Sequence, residues 1–489
     1  MNMVFKQFLG QSPVWFKALI LGFLLLCYPL LLIFGSIVMG WAFIGMFILT
    51  LAMALKCYPL QSGGLLGIAI LALGLTNNDT VWHEIHANLG VIFLLVFMVS
   101  FIYFMKPLLI FLFGKILTKV KNKVILSLIF SLSAAVLSAF LDALTVTAVL
   151  IAVFVALYGV YERVHSSMDE DYNTDGILDR QQLGGDTLTE FRAFIRSLVM
   201  HGAVGTALGG VSTQVGEPQN LLISEIMGWN FIQFATQMLH VTVPVLLAGL
   251  LVVITVELTK TFGFGAKLDP AVGKIIKNYL HEEDKKRSTK DKYALVVQAV
   301  SGLLLIMGLA LHVMEVGLIG LSLLVLVTAL TGITEEHHIG RAFEESLPFV
   351  SLLVVFFIVV GMIQDLELFK PIIHWVLAMP VEVQPRAFFL ANGVLSAISD
   401  NVFVATVYIN EVKTAFDAGE ISREHFETLA IAINAGTNIP SVATPNGQAA
   451  FLFLLTSALA PAIKLGYMRM VFMALPYTVV LTIVGYFAQ

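Results

Sequence analysis

Charge is scarce in this sequence and nearly missing from its long apolar runs. Only 12% of the 489 residues are Asp, Glu, Lys or Arg, against 58% hydrophobic, and the mean hydropathy of +0.90 lies far outside the soluble range. A soluble globular domain is excluded. The apolar runs also lack the two-residue alternation of an outer-membrane barrel, so helices are the expected spanning elements. A formal charge of −5, carried mainly in loops, leaves no visible face for nucleic acid. The two cysteines, Cys27 and Cys57, lie in or beside apolar segments and offer no disulfide framework. No convincing small-residue cleavage site follows the first apolar run, which reads as a retained span rather than a signal peptide.

What is present is a series of runs near the roughly 20 residues a spanning helix needs. Spans are expected near 16–36, 40–56, 62–76, 88–105, 191–228, 238–258, 294–313, 315–333, 347–365, 425–458 and 467–487. Two further segments, 124–160 and 386–410, each hold one aspartate between two shorter apolar arms, and each fits a re-entrant hairpin as well as a crossing. Lys115, Lys119, Lys121 and Lys123 before the first hairpin and Arg163 after it place both its ends in the cytoplasm. Nine Lys and Arg residues within 260–292 make that stretch a cytoplasmic linker. Around the second hairpin Glu382, Glu411, Asp417, Glu420, Glu424 and Glu427 outweigh Arg386, Lys413 and Arg423, so that side reads as external. The N-terminus is then cytoplasmic and the C-terminus periplasmic.

The two parts of the chain also match each other. LSAFLDALTV (137–146) aligns with LSAISDNVFV (395–404) at an offset of 258, and GGVSTQVGEPQN (209–220) aligns with GTNIPSVATPNG (436–447) at an offset of 227. Five full spans per part, an odd number, turn the second copy upside down. The expected fold is an all-α polytopic membrane protein of two inverted repeats, each with five spans and one re-entrant hairpin. One extra N-terminal span precedes them, and helices break at mid-membrane. The divisions are 1–37 (N-terminal span), 38–259 (first repeat, hairpin 124–160, broken helix 191–228), 260–292 (linker) and 293–489 (second repeat, hairpin 386–410, broken helix 425–458).

Asp142 and Asp400 occupy matching places at the two hairpin tips. A carboxylate at the centre of a membrane helix costs about 2.5–3.5 kcal/mol, which makes a functional role the default. No lysine or arginine lies in either hairpin between its flanks. A proton and a sodium ion then compete for the same acid, and a site exposed alternately to each side turns that competition into exchange. Beside these acids Ser138, Thr145, Ser396 and Asn401 are candidate ion ligands, although Ser and Thr in membrane helices also bond backbone. The Gly, Pro, Ser, Thr and Asn of the broken segments offer freed carbonyls and side-chain oxygens suited to a hard cation. Glu217, Asn220, Ser212, Thr213, Asn438, Ser441, Thr444 and Asn446 form this second tier. His83 and His86 make only a lone pair of metal-type ligands, His201 reads as a satisfied buried imidazole, and His337 and His338 as a solvated turn. Neither a catalytic residue nor a resident cofactor is expected, only transported cations.

FLDALTVTAV, GTALGGVSTQVGEPQNLLI, SAISDNVFVATVYINE and NIPSVATPNGQAAFLFLLTSALAP resemble the NhaB family of bacterial sodium/proton antiporters. LAMALKCYP (51–59) and EVGLIGLS (315–322) extend the likeness along nearly the whole chain. The resemblance implies exchange of internal sodium or lithium for external protons across the bacterial inner membrane. It also implies an architecture similar to the sodium-coupled dicarboxylate symporters, which are homodimers with a moving transport domain. The family's functional aspartate carries over onto Asp142, and Asp400 follows from the internal repeat. The runner-up, a sodium-coupled symporter of a small anionic metabolite, conflicts with acids at both tips and no tip arginine. An intramembrane aspartyl protease would need a Gly-x-Gly-Asp element that both tips lack, and a channel would not need inverted repeats.

Overall fold

The computed structural model describes residues 2–167, 185–344 and 346–489, and among them every regular element is helical. Among the described residues six helices are long and apolar enough to cross a membrane: Val14–Ala52, Ala143–Glu162 within a longer helix, Phe231–Thr259, Thr289–Ala310, Leu347–Asp365 and Tyr467–Phe487. Their outward faces carry large apolar side chains such as Leu32, Leu247, Leu251 and Leu303, each more than half exposed. Local chemistry fixes where several begin. Asn230 and Gln233 form a reciprocal capping box before Phe231, and Ser288 with Asp291 does the same before Thr289.

Several expected spans differ from what forms. The first two, 16–36 and 40–56, do form as two helices within Val14–Ala52, parted at Gly35, whose φ of 79° only glycine adopts readily. The span at 62–76 is a 14-residue helix, Pro59–Ala72, and 315–333 is a 16-residue helix, Val316–Thr331. At about 1.5 Å per residue neither reaches the roughly 30 Å of a hydrocarbon core alone. The span at 88–105 contains a π-helical turn, Leu94–Met98, and is bent by 61° from a preceding helix, Asn78–Ala87. A further helix, Lys106–Lys119, lies where no element was expected. The linker 260–292 holds a helix of its own, Pro270–Lys286, started by Asp269, whose side chain accepts from the amides of Ala271 and Val272.

Both segments expected as hairpins are helix pairs joined by a short break. The first pairs Lys123–Ser138 with Ala143–Ser167, and at 25 residues the second arm exceeds the expected length. The second pairs Gln384–Ser396 with Asn401–Asp417. Each first arm packs along a helix that itself breaks. Lys123–Ser138 lies on Gly185–Gly210, which stops before a second helix at Pro218–Met227. Gln384–Ser396 lies on Arg423–Asn438, which gives way to a 3₁₀ turn, Pro440–Ala443, and then to Ala449–Thr456. Close approach is built in at Gly209, where a methyl group would run into the Ala135 carbonyl of the facing arm.

Candidate functional site

A cavity of about 440 Å³ opens where these four breaks meet. Asp142, Glu217 and Asp400 all line it, with Thr145, Gln219, Asn401, Asn446 and Tyr58. Among the described residues its wall holds no lysine, arginine or histidine, and no ion pair engages any of the three acids.

The place of a base is taken by helix ends. Asp400 caps Asn401–Asp417, its Oδ1 accepting from the amides of Val402 at 2.8 Å and Phe403 at 3.3 Å. Asp142 immediately precedes Ala143–Ser167 and accepts from the Thr145 amide at 3.2 Å. Glu217 occupies the cap position of Pro218–Met227, and Gln448 that of Ala449–Thr456. Four helix N-termini therefore border one cavity, each equivalent to roughly half a positive charge. Carboxylates without basic partners are thereby held in a field that tolerates negative charge while leaving room for a cation. Capping is also an ordinary structural task for aspartate, so the caps alone do not separate a structural from an ion-binding role.

Around the breaks several oxygens are left over. Glu217 Oε1, Asn401 Oδ1, Asn446 Oδ1, Ser138 Oγ and Ser396 Oγ are buried with no hydrogen-bond partner. Native structures rarely leave such groups unsatisfied. Ser138 and Ser396 stand at corresponding positions, 258 residues apart, each ending the first arm of its helix pair. They sit behind the breaks and do not line the cavity.

The remaining candidates mostly stitch the framework. Thr213 donates to the Ala139 carbonyl, and Thr444 to the Ala397 carbonyl at 2.5 Å, each tying a broken helix to the neighbouring break. Asn220 donates to the carbonyls of Gly210 and Thr213, both at 2.7 Å. Asn438 donates to the Asn434 carbonyl at 2.8 Å and accepts from Gln219 at 2.9 Å. Ser441 turns back on the Asn438 carbonyl at 2.9 Å and Ser212 on the Gly209 carbonyl at 2.5 Å. Thr145, Asn401, Asn446 and the three acids are thus gathered at the cavity, whereas Ser212, Thr213, Asn220, Asn438, Ser441 and Thr444 do not line it and bond within and between the breaks. Gln219 and Tyr58 are cavity residues that the sequence reading missed. Gln219 lies directly after the Glu217–Pro218 pair and was legible by position; Tyr58 carried no such signal.

These contacts also correct the alignment of the broken segments. Thr213 and Thr444 make the same bond, and the amides of Gly216 and Gly447 both return to the carbonyl of the threonine three residues back. Both pairs are separated by 231 residues, not 227. The four-residue difference is about one helical turn, which presents the same face and so leaves the apolar pattern unchanged. Glu217 then corresponds to Gln448 rather than Thr444, and Pro218 to Ala449 rather than Pro445.

Away from the cavity lies a buried charged cluster. Lys123 pairs with Glu257 at 2.9 Å, and Glu257 also takes His201 Nε2 at 2.7 Å and the Ser127 hydroxyl at 3.0 Å. His201 Nδ1 meets the Tyr477 hydroxyl at 2.6 Å and its ring stacks on Phe264. His83 and His86 are exposed on Asn78–Ala87, with His86 edge-on to Trp82. His337 and His338 sit exposed beside Glu335.

Known proteins resemble the chain along nearly its whole length. The family model described as "Bacterial Na+/H+ antiporter B (NhaB)" matches residues 1–489. A protein of Saccharophagus degradans named Na(+)/H(+) antiporter NhaB is 60% identical over 488 residues, covering 99% of this chain and 97% of its own. Those of Marinomonas sp. (strain MWYL1) and Pseudomonas aeruginosa (strain LESB58), with the same name, are each 58% identical, over 482 and 485 residues. They cover 98% and 99% of this chain and 96% and 97% of their own lengths. Nothing in these matches supports symport of an anionic metabolite. The chain belongs to the NhaB family of Na+/H+ antiporters, a family of transporters, and is a multi-pass membrane protein.

Proposed function

We propose that this protein exchanges Na+ for H+ by letting the two compete for the carboxylates of the cavity, with Asp142 the coupling acid and Asp400 its counterpart. The observation that carries the reading is the meeting of three acids, no base and several unpartnered buried oxygens at four helix N-termini. Protons and Na+ each neutralise the same acids, so occupancy by one expels the other. Thr145, Asn401 and Asn446 complete the oxygen set at the cavity, with Ser138 and Ser396 behind it. Li+, a smaller hard cation suited to the same oxygens, is a second substrate. The exchange needs neither a resident cofactor nor a covalent step, and the protein is not an enzyme.

Alternation follows from two inverted repeats, 38–259 and 293–489, after an N-terminal span and around the linker 260–292. The recurring Thr-to-Ala carbonyl bond at both breaks supports the duplication, and the opposite charge flanks support the inversion. In this arrangement the two helix pairs are re-entrant, the N-terminus is cytoplasmic and the C-terminus periplasmic. The membrane is the bacterial inner membrane, and the assembly is the homodimer that the likeness to dicarboxylate symporters implies.

The test uses full-length protein in proteoliposomes with a pH dye in the lumen. External Na+ or Li+ is expected to draw protons out and raise luminal pH, while K+ and succinate leave it unchanged. Asp142→Asn is expected to reduce the Na+ response to background, with helical content and monodispersity retained. Normal exchange in that variant would remove Asp142 from the mechanism.

A further inference from the structure

A second large cavity, of about 840 Å³, lies beside the linker helix Pro270–Lys286, far in character from the acidic one. Six lysines line it: Lys121, Lys123, Lys260, Lys267, Lys274 and Lys277. Among the described residues two carboxylates face them, and both are already engaged. Asp269 caps the linker helix, accepting from the Ala271 amide at 2.7 Å, and Glu257 is paired with Lys123 at 2.9 Å. Among the described residues no ion pair engages the other five lysines. Five cations around one concavity repel one another, and that repulsion is relieved by an anion.

The rest of the wall says which kind of anion. Leu117, Val120, Val124, Leu258 and Leu268, none of them buried, give the cavity an apolar side. The cavity also lies at the end of Phe231–Thr259, one of the membrane-length helices, whose C-terminal residue adjoins Lys260. A soluble anion such as phosphate uses the lysines and leaves the apolar wall wet. A phospholipid uses both, with its phosphate on the lysines and an acyl chain on the wall. The lysine excess of this stretch is what the positive-inside bias assigns to the cytoplasmic leaflet, where anionic lipids meet basic pockets between helices.

We propose that this lysine-lined cavity between the linker helix and the roots of the first helix pair is a binding site for an anionic phospholipid of the cytoplasmic leaflet. The lipid clamps the linker helix to the helix pair that carries Asp142. Neither the ion exchange nor its acids enter the argument, so the site stands or falls independently of the transport reading.

The experiment titrates purified full-length protein in a neutral detergent with short-chain phosphatidylglycerol, phosphatidylcholine or inorganic phosphate, reading thermal unfolding. Phosphatidylglycerol is expected to raise the melting temperature saturably, and the other two to have no such effect. The triple variant Lys267→Gln/Lys274→Gln/Lys277→Gln is expected to weaken the half-saturating concentration on the order of a hundredfold, from about fivefold per lysine. The triple Lys→Arg variant at the same positions should keep the response. An equal shift with phosphatidylcholine or with inorganic phosphate would overturn the proposal, as would an unchanged response in the glutamine variant. If the glutamine variant does not fold, the wild-type titrations decide alone, and a flat phosphatidylglycerol curve sinks the site.

Discussion

In the first part of the chain the helix after the break begins behind Glu217; in the second part the corresponding helix begins behind Gln448. The backbone turns are alike, but the side chains do opposite things. Gln448 donates to the Asn438 carbonyl at 2.9 Å and to Ser441 Oγ at 2.8 Å, closing its turn. Glu217 makes no capping bond, packs against Gly210 and leaves Oε1 unpartnered. A shared backbone plan has therefore been split between a sewn corner and an open, acidic one. The roots of the two helix pairs differ as well. Lys123 anchors the first through the buried Glu257, whereas the position 258 residues on is Val381, 59% exposed.

The largest effect should come from cutting the anchor. Lys123→Met leaves Glu257 buried with only His201 and hydroxyls for company, a loss of about 3–5 kcal/mol. A large fall in the melting temperature of the purified protein is expected, partly recovered in Lys123→Met/Glu257→Met; a melting temperature within a degree of wild type would deny the anchor any weight. Next is Gln448→Glu, which copies the first corner onto the second. It removes two donors and sets a carboxylate against the Asn438 carbonyl, a cost of about 2–3 kcal/mol, so stability should drop with no gain in Na+ affinity. Gain of affinity instead would mean that the corners are interchangeable.

The converse change, Glu217→Gln, makes the first corner resemble the second. It should leave the fold intact and raise the Na+ concentration for half-maximal exchange about tenfold, equivalent to about 1.4 kcal/mol. Flux measurements over a range of Na+ would show whether Glu217 is part of the site or only lines its mouth. The smallest effects belong to Thr213→Val and Thr444→Val, each losing the bond between a broken helix and a neighbouring break, about 1 kcal/mol, Thr444→Val losing also the bond its hydroxyl accepts from the Gly447 amide at 3.1 Å. Similar small losses of thermal stability in both would support the 231-residue correspondence, and a loss in only one would break it.

Much of this was readable in advance because it is local. Helix content, the breaks near Asp142 and Asp400, and the Gly- and Thr-rich turns follow from residue types a few positions apart. The helix Lys106–Lys119 escaped because hydropathy averages over a window and does not report a short helix among lysines. The four-residue slip escaped for a sharper reason: a shift by one turn returns the same helical face. Asn220, Asn438 and Thr444 looked like ligands in the sequence, yet their hydrogen bonds go to backbone and side-chain groups of the helix breaks.

The sequence by itself determined that the chain is helical and apolar and that two acids lie in apolar runs without a nearby base, since those are properties of neighbours along the chain. Tertiary structure alone decided that Asp142, Glu217 and Asp400 share one cavity and that helix N-termini stand where bases were missing. It also decided that Lys123, an ordinary flanking charge in the sequence, pairs with Glu257 across 134 residues. Hydropathy and helical period specify which face of a helix is buried, but not what it is buried against. That choice is made when side chains from distant segments compete for the same space and the same hydrogen bonds.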